Sequence, residues 1–340
     1  MRRNSLWRVG LSAMIFGFAM PASTSALAQK DPEPVCQRAC LEKWVDDYLV
    51  AMRDGKVDPK LFARDLKFTE NGVQLPFGNE GLWLTMSGLG KYKFYVPDIE
   101  TQQVAFIGTV LEEASASAAG GPAKERLVAV ALRLKIADNK ITQIEQLAIR
   151  PDNTNSSGNG DGPAWPPVGE AVEAMGAPHP MFREAIPQGE RASREELVKT
   201  ANYYFTGLQR NDGKGYYPFT DDCDRFENGM DTLANVLDPD TGKRGRMTCK
   251  KQFETSYKGI VSRIRDRRFV AVDRERGIAF AFVAFDHNKI SWTWQMAELF
   301  KIEKGQIRRI EAVFHRAPYG MGSGWGTYEQ DISEEIQSIR

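Results

Sequence analysis

The residues best suited to chemistry fall in the second half of the chain. Of three histidines, His287 and His315 lie there, and His179 sits in a Gly- and Pro-rich stretch. An imidazole titrates near neutrality, so a histidine facing a cavity takes or gives a proton at low thermodynamic cost. Strand alternation puts Glu311, Val313 and His315 on one face and Ile310, Ala312 and Phe314 on the other. Which face is concave stays open. In one case Glu311 and His315 enter one cavity; in the other Glu311 pairs with Arg308 or Arg316. His287 follows Asp286 at a strand end, where such a pair serves a site or a solvated turn. The densest polar-aromatic cluster runs from Tyr216 to Gly229 and contains Tyr217, Asp222 and Glu227. Trp292 and Trp294 alternate on one face, suited to line an aromatic pocket or to pack on the other half. Arg263, Arg265, Arg267 and Arg268 around Asp266 read as an anion site or, preferably, as a solvated and mutually paired surface. No Gly-rich phosphate loop, zinc-spaced His-Glu pattern or nucleophile elbow occurs, so neither cofactor nor metal is expected.

The elements that must position these residues are written twice. Lys135, Ile136, Ile141, Ile144, Glu145 and Arg150 map onto Lys301, Ile302, Ile307, Ile310, Glu311 and Arg316 with one constant shift. Upstream, Glu70-Asn71-Gly72 maps onto Glu227-Asn228-Gly229 and Tyr48 onto Phe205 at a slightly smaller shift. That difference places an insertion near Asp231 to Met247 of the second copy. Each copy reads as a helix, a short strand, another helix and a run of long strands, an α+β arrangement of helices on a strongly bent, mainly antiparallel sheet. The second copy's covering helices carry Tyr204 and Tyr257, the latter in a helix expected from Cys249 to Ile264. Strands are expected from Arg268, Gly277, Ile290 and Gln306. Copy one spans 35–151, a Gly/Pro/Asn-rich linker 152–193, copy two 194–318, and a tail 319–340 suited to fold over a cavity mouth.

This order, with Glu-Asn-Gly on the first strand and Ile-x-x-Ile-Glu on the last, resembles the nuclear transport factor 2-like superfamily, particularly its SnoaL-like branch. The resemblance implies a conical cavity and cofactor-free lyase, isomerase or hydrolase chemistry on a small apolar molecule, aromatic ones included. The superfamily also holds non-catalytic ligand-binding and interaction modules, so that alternative stands beside the enzyme. By region, the resemblance makes Asp222 and Glu227 acid–base candidates and Tyr217 a donor to a developing oxyanion. His315 and His287 join them as catalytic candidates; Tyr204, Tyr257, Trp292, Trp294 and Glu311 are candidate substrate contacts. Because Glu-Asn-Gly recurs in the copy that lacks histidine, a structural role for the triplet is favoured.

The N-terminus reads as an export signal. Arg2, Arg3 and Arg8 precede an apolar stretch from Val9 to Met20, and Ala26-Leu27-Ala28 supplies the small residues of a cleavage site. A periplasmic or secreted location follows, with no membrane contact after cleavage, and there Cys223 and Cys249 are expected to pair. The state of Cys36 and Cys40 is open, since a regular helix would aim their side chains poorly for bonding. Lys plus Arg and Asp plus Glu both total 45, so no global field recruits nucleic acid. Self-association through sheet faces is the remaining partner expectation.

Overall fold

The computed structural model describes residues 36–114, 124–151, 166–210, 212–255 and 261–338. The first domain opens with α1 (Arg38–Arg53), whose Leu41, Val45, Tyr48, Leu49 and Met52 recur at helical spacing and are buried. There follow β1 (Phe62–Glu70), β2 (Val73–Gln74), α2 (Leu82–Thr85), β3 (Met86–Asp98), β4 (Gln103–Ala114), β5 (Lys124–Ala137) and β6 (Lys140–Ile149). The connecting segment is less irregular than its composition suggests. It forms α3 (Val168–Ala174) and two short 3₁₀ turns. Its Val168, Val172 and Phe182 are buried between the domains, because small and apolar side chains in an otherwise polar stretch find an apolar surface to cover.

The second domain repeats the order: α4 (Arg194–Arg210), β7 (Phe219–Glu227), β8 (Met230–Asp231), β9 (Val236–Leu237), β10 (Arg244–Gly245), α5 (Cys249–Thr255), β11 (Arg263–Asp273), β12 (Ile278–His287), β13 (Trp292–Glu303) and β14 (Gln306–Pro318). The β9–β10 hairpin is the insertion the unequal shifts required. Helix α5 stops at Thr255 and β11 already begins at Arg263, earlier than expected, so the arginine run belongs to a strand. Tyr257 lies outside the described residues.

The first sheet runs β2-β1-β6-β5-β4-β3 and the second β8-β7-β14-β13-β12-β11, one strand order used twice. In each, the first long strand pairs parallel with the last and the rest is an antiparallel meander. The Glu-Asn-Gly triplets turn the chain out of β1 and β7. Asn71 and Asn228 adopt φ of 50° and 51°, a left-handed conformation that asparagine tolerates. The Asn71 side chain accepts from the Ala148 amide at 2.8 Å, and Asn228 accepts from the Phe314 amide at 2.9 Å. The asparagine thus extends the strand ladder, which explains its recurrence.

Each sheet has two covered faces. The face under α4 and α5 carries Phe269, Ala281, Val283, Phe285, Phe300, Ile310 and Phe314. The opposite faces meet back to back, with Tyr92, Phe94, Ile107 and Leu147 of the first domain against Val270, Phe280, Phe282, Leu299 and Val313 of the second. The two sheets of one chain thus cover each other's outer faces.

Buried ion pairs fix that contact. Arg268 donates to both Glu145 oxygens at 2.7 Å and, through Nε, to Asp266 at 2.8 Å. Arg265 donates to Asp286 at 2.8 Å, and Arg267 reaches the Ile264 carbonyl at 3.0 Å. Arg265, Arg267 and Arg268 are thus buried, the first and last against carboxylates and Arg267 among neutral acceptors; the solvated surface preferred above gives way because the strand is sealed between sheet and tail. The tail forms α6 (Tyr328–Asp331) and crosses to the first domain. There the Trp325 indole lies 4.2 Å from the Lys67 ammonium and 4.4 Å from the Arg133 guanidinium, and its Nε1 donates to Thr69 at 2.8 Å. It covers the groove between the domains and contributes no described contact over the second domain's helix-covered face.

Both disulfides are formed. Cys223–Cys249 ties β7 to α5 across the insertion, and Cys36–Cys40 closes with Cα atoms 5.4 Å apart. The helical objection to the second bond lapses because Cys36 precedes the extended cap residue Gln37 and lies outside α1. Among the described residues, no helix is long and apolar enough to cross a membrane. Replacing Glu145 by Ala strands Arg268 and Arg133 beside each other in the buried contact, and urea unfolding should show a loss of about 3–5 kcal/mol.

Candidate functional site in the second domain

Register brings two carboxyl groups onto one row of the second sheet. Glu227 faces Ala312, Ala312 faces Glu298, and Glu298 faces Ala281, so the row reads Glu-Ala-Glu-Ala across β7, β14, β13 and β12. Directly opposed residues share a face, and this is the face under the helices. Strands lie about 4.8 Å apart, so the two acids stand about 10 Å apart at Cα with only a methyl group between them.

Arg225, two residues before Glu227 on β7, joins them. Its Nε donates to the Tyr204 hydroxyl at 3.0 Å, Nη1 to Gln252 at 3.0 Å, and Nη2 ion-pairs with Glu227. Tyr204 descends from α4 and Gln252 from α5, so both covering helices pin the guanidinium. Burial alone would depress the Arg225 pKa, but Glu227, Tyr204 and Glu298 more than offset it and hold the charge in place.

Glu298 is fully buried, and its pKa is pushed up to about 8, chiefly by burial and further by the Glu227 charge, against the pull of Arg225. The Tyr204 hydroxyl sits beside it, yet neither carboxyl oxygen makes a well-formed hydrogen bond. A protonated carboxylic acid with unfilled hydrogen-bonding capacity therefore stands at the base of this face at neutral pH.

The first domain holds the same row with different residues: Glu70, Gln146, Leu132 and Phe106. Register equates Phe68 with Arg225 and Leu132 with Glu298. Gln146 replaces the methyl of Ala312, donates to Glu70 at 3.1 Å and accepts from Tyr48 at 2.8 Å. The ring contacts agree: Tyr48 and Tyr204 each lie 6.4 Å from the first phenylalanine of their sheet, Phe62 and Phe219. Tyr204, rather than Phe205, is thus the partner of Tyr48. In the first domain a polar plug and apolar side chains occupy the place where the second has an arginine between two acids.

Toward the other end of the same face lies an aromatic group. His287 opposes Trp292, Phe285 opposes Trp294, and Trp294 opposes Arg316. The His287 ring centre is 4.2 Å from that of Trp294, which stacks on Phe314 at 4.8 Å. His287 is 1% exposed and neither ring nitrogen makes a well-formed hydrogen bond, although the Phe285 backbone lies near, and the indole nitrogens of Trp292 and Trp294 and the Tyr217 hydroxyl are buried without partners. Burial pushes the His287 pKa down to about 4, so the ring is neutral.

The residues singled out from sequence separate accordingly. Glu227, Tyr204, His287, Trp292 and Trp294 share the covered face, and Tyr217 packs at its edge against Phe253 with ring centres 5.7 Å apart. His315 and Glu311 occupy the opposite face, against the first domain. His315 pairs with Gln295 at 3.0 Å, and burial lowers its pKa to about 4. Glu311 accepts from Arg309 at 2.7 Å and from the Tyr92 hydroxyl at 3.1 Å, and burial raises its pKa. Asp222 is exposed in the irregular part of β7, its pKa lowered by Thr220 and by Arg308, which donates at 3.2 Å. His287 and Asp286 point to opposite faces; the Asp286 carboxylate serves Arg263, Arg265 and Thr293. Sequence reasoning passed over Arg225, Gln252 and Glu298. The two constant shifts carried the signal: they set Arg225 against Phe68 and Glu298 against Leu132, ionisable residues at positions that are apolar in the other copy.

A family model described as a domain of unknown function (DUF8021) matches residues 190–314, a span confined to the second domain and its approach. No curated protein matches. Among solved structures, the chain is similar to AclR, a putative hydroxylase from Streptomyces galilaeus, at 13% identity over 33% of this chain and 81% of that one, with a TM-score of 0.27. An NTF-2 like protein of unknown function from Burkholderia xenovorans LB400 shares 13% identity over 36% and 84%, with a TM-score of 0.24. A de novo designed protein with a curved β-sheet shares 19% over 36% and 88%, with a TM-score of 0.26. Likeness at that level carries no weight for function, and the fold stands on the strand order and register above.

The raised pKa has a stability consequence. Between its ordinary value of 4.5 and about 8, the unfolded chain releases a proton that native Glu298 keeps, so this group makes stability fall as pH rises through that window. The two buried histidines act in the other sense: the unfolded chain takes up protons below 6.5 that the native rings refuse until about 4, so stability falls as pH drops. Glu298→Leu, which installs the first domain's residue, should stabilise the protein by about 1–4 kcal/mol at pH 8.5 and by clearly less at pH 5. Thermal melts at the two pH values check this; an equal gain at both contradicts a buried, proton-retaining Glu298.

Proposed function

We propose that the second domain is a cofactor-independent acid–base catalyst, a lyase or isomerase acting on a small, mostly apolar molecule that bears a hydroxyl or carbonyl group. The observation that carries this reading is the fully buried Glu298 carboxyl, without a well-formed hydrogen bond, beside Tyr204 and the Arg225–Glu227 pair; burial pushes its pKa up to about 8. A carboxylic acid kept neutral at physiological pH donates a hydrogen bond or a proton to an oxygen on which charge develops. In a dehydration, the Glu298 proton passes to the departing hydroxyl as the carbon–oxygen bond breaks. Glu227 takes the proton from the neighbouring carbon, whose bonding pair forms the new double bond, and water leaves. Proton return from Glu227 to Glu298 through solvent resets the pair. Tyr204, held by Arg225, orients the substrate oxygen, and the low dielectric strengthens each of these contacts.

The first domain, with Leu132 and Phe68 at the equivalent positions, serves as the wall that keeps the second sheet's outer face dry. An extracytoplasmic location, periplasmic or secreted, is supported by the leader-like N-terminus and is compatible with both disulfides. The sequence resemblance to SnoaL-like proteins agrees with this class of reaction. A second reading, ligand binding without turnover, is favoured by one observation: every nitrogen of Arg225 has a partner within the protein, as in a structural knot.

A panel of small hydroxylated and keto aromatic compounds, screened for dehydration and double-bond isomerisation, separates the two readings. Wild-type turnover should fall at least 100-fold in both Glu298→Gln and Glu227→Gln, with melting behaviour retained. A substrate turned over equally well by wild type and both variants would refute the assignment, and binding with no turnover by the wild type would select the second reading.

A further inference from the structure

Trp292, Trp294 and His287 stand at the opposite end of the helix-covered face from Glu298. Glu298 is four positions beyond Trp294 on β13, about 13 Å along an extended strand, too far for hydrogen-bond contact. Whatever fills the aromatic end is therefore recognised by its own set of groups. Those groups are incomplete as they stand. The indole nitrogens of Trp292 and Trp294 are buried without a hydrogen bond, and both nitrogens of His287 are buried without a well-formed one, the Phe285 backbone being their near neighbour. A buried polar group left unpaired is destabilising, and several such atoms within one aromatic cluster are a standing demand for partners.

The chemistry of the missing partner follows from the atoms that wait for it. Two indole N–H groups donate only, and a neutral imidazole donates once and accepts once, so the cluster offers three donors and one acceptor. The stacked Trp294 and Phe314 rings provide a planar apolar wall, and Phe285, opposite Trp294, closes its far side. Arg316, opposed to Trp294 on β14, is exposed, lies 4.7 Å over the Trp292 ring, and forms no ion pair among the described residues. It marks the side on which this end meets solvent. Donors within, a flat apolar wall and a free guanidinium at the rim match a planar aromatic ring that carries a carboxylate and an oxygen acceptor.

We infer that the Trp292–Trp294–His287–Arg316 end of the second domain is a binding subsite for a small aromatic carboxylate, with Arg316 taking the carboxylate and the buried indole and imidazole groups taking the ring and its oxygen substituent. The subsite stands whether or not Glu298 turns anything over, since no part of it touches the acid pair. His315, on the other face and already paired with Gln295, has no part in it.

Calorimetric titration of the mature protein with 4-hydroxybenzoate, and with its neutral analogue 4-hydroxybenzyl alcohol, tests this. The carboxylate should bind more tightly than the alcohol. Arg316→Gln should remove that preference, weakening the carboxylate at least tenfold and leaving the alcohol unchanged. His287→Phe, which keeps a ring but no polar atoms, should weaken both at least fivefold. The indole N–H signals of Trp292 and Trp294 should shift on binding in ¹H–¹⁵N spectra. No binding of either probe at millimolar concentration, or binding that both variants leave unchanged, overturns the assignment. Glu298→Gln should bind 4-hydroxybenzoate like the wild type. Binding retained in a protein that catalyses nothing would therefore uphold this subsite while the catalytic reading failed.

Discussion

Desolvation of both faces of the second sheet is the constraint from which its other properties follow. Helices cover one face and the first domain's sheet covers the other, so every residue of β12 from Ile278 to His287 is buried. A strand in that position has no side for a charge to reach water. The buried ionisable groups on β11, β13 and β14 must therefore be paired within the protein or shift their protonation, and both outcomes occur. Arg265 and Arg268 find Asp286, Asp266 and Glu145. His315 finds Gln295 and stays neutral.

Against so complete a pairing, the exceptions carry information. Within the second domain, the buried atoms that lack partners belong to Tyr217, His287, Trp292, Trp294 and Glu298, and register places the last four on the helix-covered face. None of them lies on the face where the two domains meet. The interdomain contact keeps one such atom, Nη2 of Arg133 in the first domain, whereas those of the second domain gather on its helix-covered face. The same pressure that pushes Glu298 to about 8 makes it a proton donor at neutral pH. In the first domain, by contrast, Leu132 and Gln146 fill the equivalent row, which confines the acid pair to one half of the chain.

The repeat, the element order and the insertion were legible in the sequence, because six residue pairs at one shift constrain register as strongly as a turn does. The concave face was not legible. Alternation distinguishes faces only when one of them is wet, and here Glu311 and Ala312 are both about equally hidden. That ambiguity drew His315 and Glu311 toward the site, although they line the contact between domains. The arginine run misled for a related reason: its density resembles a solvated surface, and nothing local reveals that carboxylates such as Glu145, distant in sequence, neutralise it. Glu298 escaped notice because a single acid in an apolar strand carries no motif. Its contrast with Leu132 becomes visible only when the two copies are compared position by position.

The most direct measurement is the titration of the Glu298 carboxyl itself, followed by ¹³C NMR in protein labelled at glutamate and assigned from the signal lost in Glu298→Gln. A midpoint near 8 would establish a carboxylic acid held neutral inside the second domain. A midpoint near the ordinary 4.5 would mean that water or a cation reaches Glu298 freely, and the acid–base site would fall with it.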